Sequence, residues 1–432
     1  MNQKYIRWLL EEIPTLITEE ILPADVAERL RQHYGDKQQE RGMGWAVVLF
    51  SILGAVLIGG GIILLLAHNW DQLSRSVRTV LSFAPLVCAQ VLGGWVIWKR
   101  RDRTGWREGA GTLLTLTIGS TIALISQTYN IVGDFGSFML TWSLLALPVV
   151  YLLDASVPAV LYLAGSIAWV ADMRFNAGQP LWFWLLAALI VPSLWLTSRV
   201  NRYRMRPVLM SWALALAICI GAGFTLTRDF GEIWMLTYAG IFAVLYLLGE
   251  RWFADAANWW QRPFQTLGAC GVFGLSLLLT FRWPWHEVVV PWHGNPTAAP
   301  LAIAVLWPIA AITLWLTSLR RRQFAEVLFG ALPLVVAIGY LITARRESGV
   351  IPATILSDIY LFILGVGTLW RGVREQRLGV VNGGMLMLST LIAMRFFDGE
   401  YSFVIRSLAF MAVGLGFLMT NMVLIRRKGA TV

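Results

Sequence analysis

Long apolar stretches recur along the chain from Gly44 to Ile425. Each holds about 17 to 24 predominantly apolar residues, the length at which an α-helix crosses the hydrocarbon core of a bilayer. The 432-residue chain is 57% hydrophobic and only 14% charged, whereas soluble domains are about 25% charged. Because one or two soluble cores cannot bury so much apolar surface, the sequence predicts an all-α, polytopic helical membrane protein.

About fourteen membrane spans account for these stretches. They are 44–67, 77–98, 109–126, 137–153, 156–171, 181–197, 207–224, 231–248, 264–281, 299–317, 324–343, 350–370, 378–395 and 404–425. Residues 1–43 are polar and predict a small cytoplasmic module of two helices, 2–13 and 23–34. The chain is therefore predicted to comprise this module, a first transmembrane region of about four spans at 44–155, and a second of about ten spans at 156–432.

The positive charges predict the orientation of these spans. If residues 1–43 are cytoplasmic, roughly three quarters of the 35 Lys and Arg residues fall on the cytoplasmic side, Arg107, Arg206, Arg251 and Arg371 among them. Cytoplasmic loops of membrane proteins are enriched in basic residues, so we expect both termini in the cytoplasm. This bias explains the net charge of +10, and no nucleic-acid partner is expected.

No motif indicates a familiar catalytic or cofactor site. The chain lacks the P-loop, the nucleophile elbow, the H-E-x-x-H zinc motif and the dinucleotide-binding glycine fingerprint. His286, Glu287 and His293 share one loop, but their spacing fits no standard set of metal ligands. We expect no catalytic residue, no cofactor and no metal site.

The few polar groups at the predicted outer ends of the spans are the first functional candidates. They are Asn69, Asp71, Gln127, Tyr129, Asp134, Arg395, Asp398, Glu400 and Arg406. In one interpretation they converge to line an outer vestibule, and Arg395, Asp398 and Arg406 form an ion-pair network. In the other they lie at headgroup level, where Arg reaches the interface and Asp caps a helix.

Asp358 is the remaining candidate. It lies about two turns inside the twelfth span, without another charge nearby in sequence. A charge at membrane depth is costly and is usually paired or functional.

Two N-terminal stretches carry a family resemblance. One runs from Trp8-Leu9 through Ile17-Thr18-Glu19-Glu20 to Ala67-His68-Asn69-Trp70, and the other is Ser126-Gln127-Thr128-Tyr129-Asn130 with Gly133-Asp134. Over about the first 155 residues the chain resembles the bacterial membrane-protein family catalogued as domain of unknown function 2157. The remainder, with Arg395-Phe396-Phe397-Asp398 and Arg406-Ser407-Leu408, resembles domain of unknown function 4401.

The resemblance implies a multipass protein of the bacterial inner membrane. It also implies a candidate partner, a second membrane protein named for a G-D-Y-x-x-L-x-Y motif, and it implies no activity. Three functions stay open: a transporter or flippase-like protein for an amphipathic or lipid-linked solute, a scaffold that binds a partner membrane protein, and an enzyme acting on a lipid-linked substrate at the outer face. Membrane lipid is an expected partner in each case, and the sequence leaves the oligomeric state open.

Overall fold

The structure, a computed structural model, describes residues 12–14, 16–19, 21–23, 25–30, 70–175, 180–225, 233–254, 256, 258–289, 298–344, 349–397, 404, 407, 411 and 414–415. The chain forms two compact units, residues 1–80 and 81–432. In the first unit, residues 12–14, 16–18 and 25–30 are helical. Helical residues therefore extend beyond Ile13, where the sequence predicted the first helix to end.

The described part of the chain from residue 70 onward is helical and contains no strand, so the predicted all-α membrane fold is confirmed. Its α-helices are α1 (Arg75–Lys99), α2 (Thr104–Tyr129), α3 (Phe135–Leu153), α4 (Ser156–Phe175), α5 (Trp182–Asn201), α6 (Met205–Thr225), α7 (Trp234–Trp252), α8 (Pro263–Leu278), α9 (Trp283–Val289), α10 (Ala298–Arg320), α11 (Phe324–Thr343), α12 (Val350–Arg374) and α13 (Leu378–Phe397).

Ten of these helices are long and apolar enough to cross a membrane. Two others correspond to predicted spans: α7, whose last turn contains Glu250 and Arg251, and α8, which is only 16 residues long. The predicted spans 44–67 and 404–425 lie largely or wholly outside the described residues. A total of fourteen spans therefore stays a prediction.

Successive spans alternate in direction and place two sets of loops at opposite ends of the bundle. We call the end with the α1–α2, α3–α4, α5–α6, α7–α8, α10–α11 and α12–α13 connections the basic face, and the other end the opposite face. Several connections at both faces are tight turns. A residue with positive φ lies just after the helix that enters each of four such turns: Asn130 at the opposite face and Asp154, Arg322 and Gln376 at the basic face. Left-handed backbone at a helix C-terminus lets the chain reverse within a few residues.

Proline interrupts α5 and α11. Each helix has a break just before its proline, at Ile190 ahead of Pro192 and at Ala331 ahead of Pro333. A proline removes one backbone N–H, so a neighbouring group must satisfy the carbonyls near the break.

Tyrosine hydroxyls from neighbouring helices supply those hydrogen bonds. Tyr162 donates to the Leu186 carbonyl at 2.7 Å, and Tyr360 donates to the Leu328 carbonyl at 2.9 Å. These two hydrogen bonds therefore join α4 to α5 and α12 to α11 within about a turn of each break.

The helix α7 is the centre of the second half of the bundle, where it packs against α8, α10 and α11. Close approach to α8 depends on glycine: a Cβ atom at Gly268 would lie 2.4 Å from the Tyr246 backbone nitrogen. Small residues of this kind allow membrane helices to approach backbone to backbone. The short α9 packs into the same core through Trp285, which is fully buried and donates to the Leu279 carbonyl at 2.8 Å.

Candidate functional site

A large groove opens between α1, α2 and α3 near the opposite face. Its volume is about 1260 Å³. It extends along α2 from Leu114 to the α2–α3 loop, a length of about 22 Å at 1.5 Å per residue. The walls are mainly apolar and include Phe83, Leu86, Ile118 and Leu145. Ligand pockets are commonly about 300 to 1,000 Å³, so this groove is large enough for the apolar part of an amphipathic molecule.

Polar side chains concentrate at one end of the groove. Among the sequence candidates, Gln127 and Asp134 line it, together with Ser126, Asn130 and Ser137. Tyr129 is exposed on the last turn of α2 and does not line the groove. The groove therefore has an apolar length and a polar mouth.

Asp134 also has a structural role at this mouth. It is the N-cap residue of α3, and its Oδ1 accepts a hydrogen bond from the Ser137 backbone N–H at 2.6 Å. This hydrogen bond lowers the pKa of Asp134 below its ordinary value. The carboxylate is therefore ionised at neutral pH, whereas a general acid needs a pKa close to the working pH.

Threonines of α2 hold the helices beneath the groove. The buried hydroxyl of Thr121 donates to the Ser82 carbonyl of α1 at 2.9 Å. Thr115 donates within α2 to the Gly111 carbonyl, and its own carbonyl accepts from the Trp142 indole of α3 at 2.8 Å. These contacts join all three groove helices.

Asp358 pairs with Arg395, and this contact joins α12 to α13. Asp358 Oδ1 lies 3.1 Å from Nε and 3.0 Å from Nη2 of Arg395. Arg395 also donates to the Thr280 carbonyl just after α8. The described partner of Asp358 therefore comes from another helix, 37 residues away in the sequence.

The side chains of the remaining candidates at the predicted outer ends of the spans are not described by the structure. Asn69, Asp398, Glu400 and Arg406 lie outside the described residues, and only the backbone of Asp71 is described, in a short 3₁₀ turn. Neither Asp358 nor Arg395 lines the groove. Convergence of all the outer clusters in one vestibule stays a prediction. Among the described residues, no group of three or more His, Cys, Asp or Glu side chains could hold a metal ion.

Sequence reasoning missed a layer of buried and partly buried ion pairs at the basic face. Its first group lies between α2, α3, α4 and α6. Asp154 pairs with Arg107 at 2.7 Å and also with Arg206, which is buried. The neighbouring Glu108 caps the start of α4, because its carboxylate accepts from the backbone N–H groups of Ser156 and Val157.

The second group joins α7, α8 and α12. Oε1 of Glu250 accepts hydrogen bonds from Arg371 at 2.7 Å, Gln265 at 2.8 Å and Tyr246 at 2.9 Å. The Arg371 side chain is 21% exposed and that of Glu250 only 11%. Arg371 Nε also contacts Glu375 at 2.8 Å, at the edge of the group.

The third group joins α7, α10 and α11. Glu326 is buried, accepts from Ser318, and lies 3.5 Å from the Arg251 guanidinium. Arg251 also donates to the Leu314 carbonyl at 2.9 Å. The sequence treated Arg107, Arg206, Arg251 and Arg371 as orientation signals alone. The sequence did contain one signal for these pairs: Asp154, Glu250 and Glu326 each lie at the end of an apolar stretch, where an acid needs a partner.

Comparison with known proteins adds one finding to this geometry. The family model DUF2157, described as a predicted membrane protein, matches residues 14–159. This match covers about a third of the chain, and we call residues 14–159 the DUF2157 region because they are similar to that family. The DUF2157 region contains the helices that form the groove, and the resemblance stated for this part of the sequence is confirmed.

The comparisons leave the rest of the chain without a confirmed family. No curated protein and no solved structure matches at a significant level. The resemblance of the remainder to domain of unknown function 4401 stays a prediction.

Proposed function

We propose that this multipass membrane protein is a transporter or flippase-like protein that takes an amphipathic or lipid-linked solute into the groove of the DUF2157 region. We place it in the bacterial inner membrane with the basic face and both termini in the cytoplasm, as the positive-inside rule favours. The observation that carries the proposal is the groove of about 1260 Å³, with its apolar walls and polar mouth.

The groove matches the two parts of an amphipathic molecule. Leu86, Ile118 and Leu145 offer apolar contact along its length, while Gln127 and the ionised Asp134 offer an amide and a carboxylate at the mouth. Orientation of a ligand by a few polar groups beside apolar walls is the usual arrangement of small-molecule sites. A headgroup with hydroxyl, amide or cationic donors would suit these acceptors.

Two observations weigh against the alternatives. The lowered pKa of Asp134 disfavours an enzyme that uses this carboxyl as a general acid. A scaffold needs no open groove within its own helices.

Adjacent residues on α3 offer a matched test. Leu145 lines the groove, whereas Leu144 is similarly exposed, at 46% against 51%, and does not line it. We would reconstitute Leu145→Trp, Leu144→Trp and the unsubstituted protein into vesicles that contain phosphatidylglycerol with a fluorescent acyl chain. Chemical bleaching of the outer leaflet then reports how fast the probe crosses, and a photoreactive analogue reports binding.

The proposal expects the unsubstituted protein to accelerate crossing, Leu145→Trp to lose most of that rate and its photolabelling, and Leu144→Trp to keep both. Equal behaviour of the two variants would exclude the groove as the site. Photolabelling of the groove without any crossing would overturn the transport proposal and favour the scaffold.

A further inference from the structure

The α1–α2 connection carries a dense group of exposed cations. Lys99, Arg100, Arg101 and Arg103 are all exposed within five successive positions at the basic face. Within the described residues no carboxylate forms an ion pair with any of them, and the intervening Asp102 forms none either. We call these four cations the hairpin cluster.

The start of α2 adds to the positive potential of the hairpin cluster. The N-cap residue is Arg103, no side chain caps the first turn, and that turn contains no acidic residue. Unpaired N–H groups at a helix N-terminus carry partial positive charge. The backbone and the side chains therefore favour an anion at the same place.

Indole rings lie directly beneath the hairpin cluster. Nζ of Lys99 lies 4.4 Å from the Trp98 ring, and the Arg100 guanidinium lies 5.8 Å from the Trp95 ring. The Trp95 ring in turn meets that of Trp106 edge to face at 5.3 Å. Cation–π contacts of this kind orient the charged groups, and tryptophan prefers the depth of lipid headgroups.

Several other cations of the basic face differ in one of these respects. At the α5–α6 connection Arg199 also lies over an indole ring, that of Trp195 at 3.4 Å, but the neighbouring Arg202 donates to the Trp252 carbonyl at 2.8 Å. Arg107, Arg206 and Arg371 are paired with buried or half-buried carboxylates. The α10–α11 connection has three exposed arginines, Arg320, Arg321 and Arg322, but no described indole ring stacks on them. The hairpin cluster combines four cations that form no ion pair with a described carboxylate and three indole rings, those of Trp95, Trp98 and Trp106, which we call the aromatic platform.

We infer that the hairpin cluster binds the phosphate of an anionic phospholipid, such as phosphatidylglycerol, from the leaflet at the basic face. Guanidinium and ammonium groups are the usual partners of phosphate. An anionic leaflet attracts juxtamembrane basic residues.

The surroundings select a lipid over a soluble anion. Below the cations, the outward surface of α1 is apolar, with Val91 69% and Trp98 78% exposed. Leu113 and Leu116 expose similar apolar surface on α2. A phospholipid places its acyl chains on this surface while its phosphate meets the hairpin cluster, whereas a free anion gains nothing from it.

Native mass spectrometry of the full chain, released from bilayers with equal phosphatidylglycerol and phosphatidylcholine, tests this inference. The triple variant K99Q/R100Q/R101Q removes three hairpin cations. The control R320Q/R321Q/R322Q removes three exposed cations from the same face without disturbing the aromatic platform. The expected result is a loss of about tenfold or more in retained phosphatidylglycerol relative to phosphatidylcholine for the first variant and less than about twofold for the control.

A third variant, Trp98→Ala, keeps every charge and should lose retention partially through the missing cation–π contact. Equal loss in both triple variants would show bulk surface charge, and no loss in either would show that no site exists. Displacement of the lipid by inorganic phosphate would indicate a soluble-anion site. Each of these three results overturns the inference, and none bears on the groove.

Discussion

The substitution Glu250→Gln tests the importance of buried ion pairs in this protein. It preserves side-chain size but removes the charge that Arg371 contacts at 2.7 Å. The same guanidinium contacts Glu375 at 2.8 Å at the edge of the group. The variant Glu375→Gln is thus a control that removes a carboxylate from the same arginine in a more exposed setting.

The structure sets the expected magnitudes. Removing one partner of a fully buried ion pair costs about 3 to 5 kcal/mol. Because the Glu250 side chain is 11% exposed and that of Arg371 is 21% exposed, we expect the lower end, about 3 kcal/mol. The Glu375 side chain is 35% exposed, so its loss should cost less than about 1 kcal/mol.

Reversible unfolding in mixed micelles with increasing dodecyl sulfate measures both free energies. The double variant Glu250→Gln with Arg371→Met should recover part of the loss, because no uncompensated charge then stays buried. A loss below about 1 kcal/mol for Glu250→Gln, or equal losses for Glu250→Gln and Glu375→Gln, would refute the reasoning.

Three further predictions follow from single contacts. Asp358→Ala removes the oxygen that accepts from Arg395 and should cost about 1 to 2 kcal/mol in the same unfolding assay, since the pair is only partly buried. Gly268→Ala should destabilise by about 2 kcal/mol or more because its Cβ would meet backbone atoms of α7, whereas Gly274→Ala, with open space around it, should be neutral. The Asp134 cap stabilises the start of α3 while the carboxylate is ionised; because its folded pKa is lowered, this stabilisation is complete above the unfolded value near 3.9 and disappears as pH falls through the lowered pKa. Amide hydrogen exchange of the first turn of α3 should show that acid dependence, and Asp134→Asn should abolish it.

Local sequence pattern was sufficient for most helix positions. Apolar length predicted α12 to start at residue 350, where it does start, and the two-residue connection of Asp154 and Ala155 between α3 and α4 was also expected. Hydropathy locates a span well because a membrane helix satisfies its own backbone hydrogen bonds.

The sequence could not predict which charged side chains pair with each other across helices. Arg371 and Glu250 are 121 residues apart, and nothing in the local pattern separates the buried Arg206 from the exposed Arg204. The same limit applies to the groove: Gln127 and Asp134 were recognisable as polar groups beside a span, but Phe83 and Leu145 became its walls only through the packing of α1 and α3 on α2.

The contact between Arg395 and the Thr280 carbonyl has a consequence for biogenesis. The two residues are 115 positions apart, so the ribosome must complete α10, α11 and α12 before it makes the arginine that binds the end of α8. Asp358 likewise enters the membrane 37 residues ahead of Arg395. During synthesis, therefore, the end of α8 and the Asp358 carboxylate lack their arginine partner until α13 is made, and the native arrangement of α8, α12 and α13 is completed only after Arg395 has been translated.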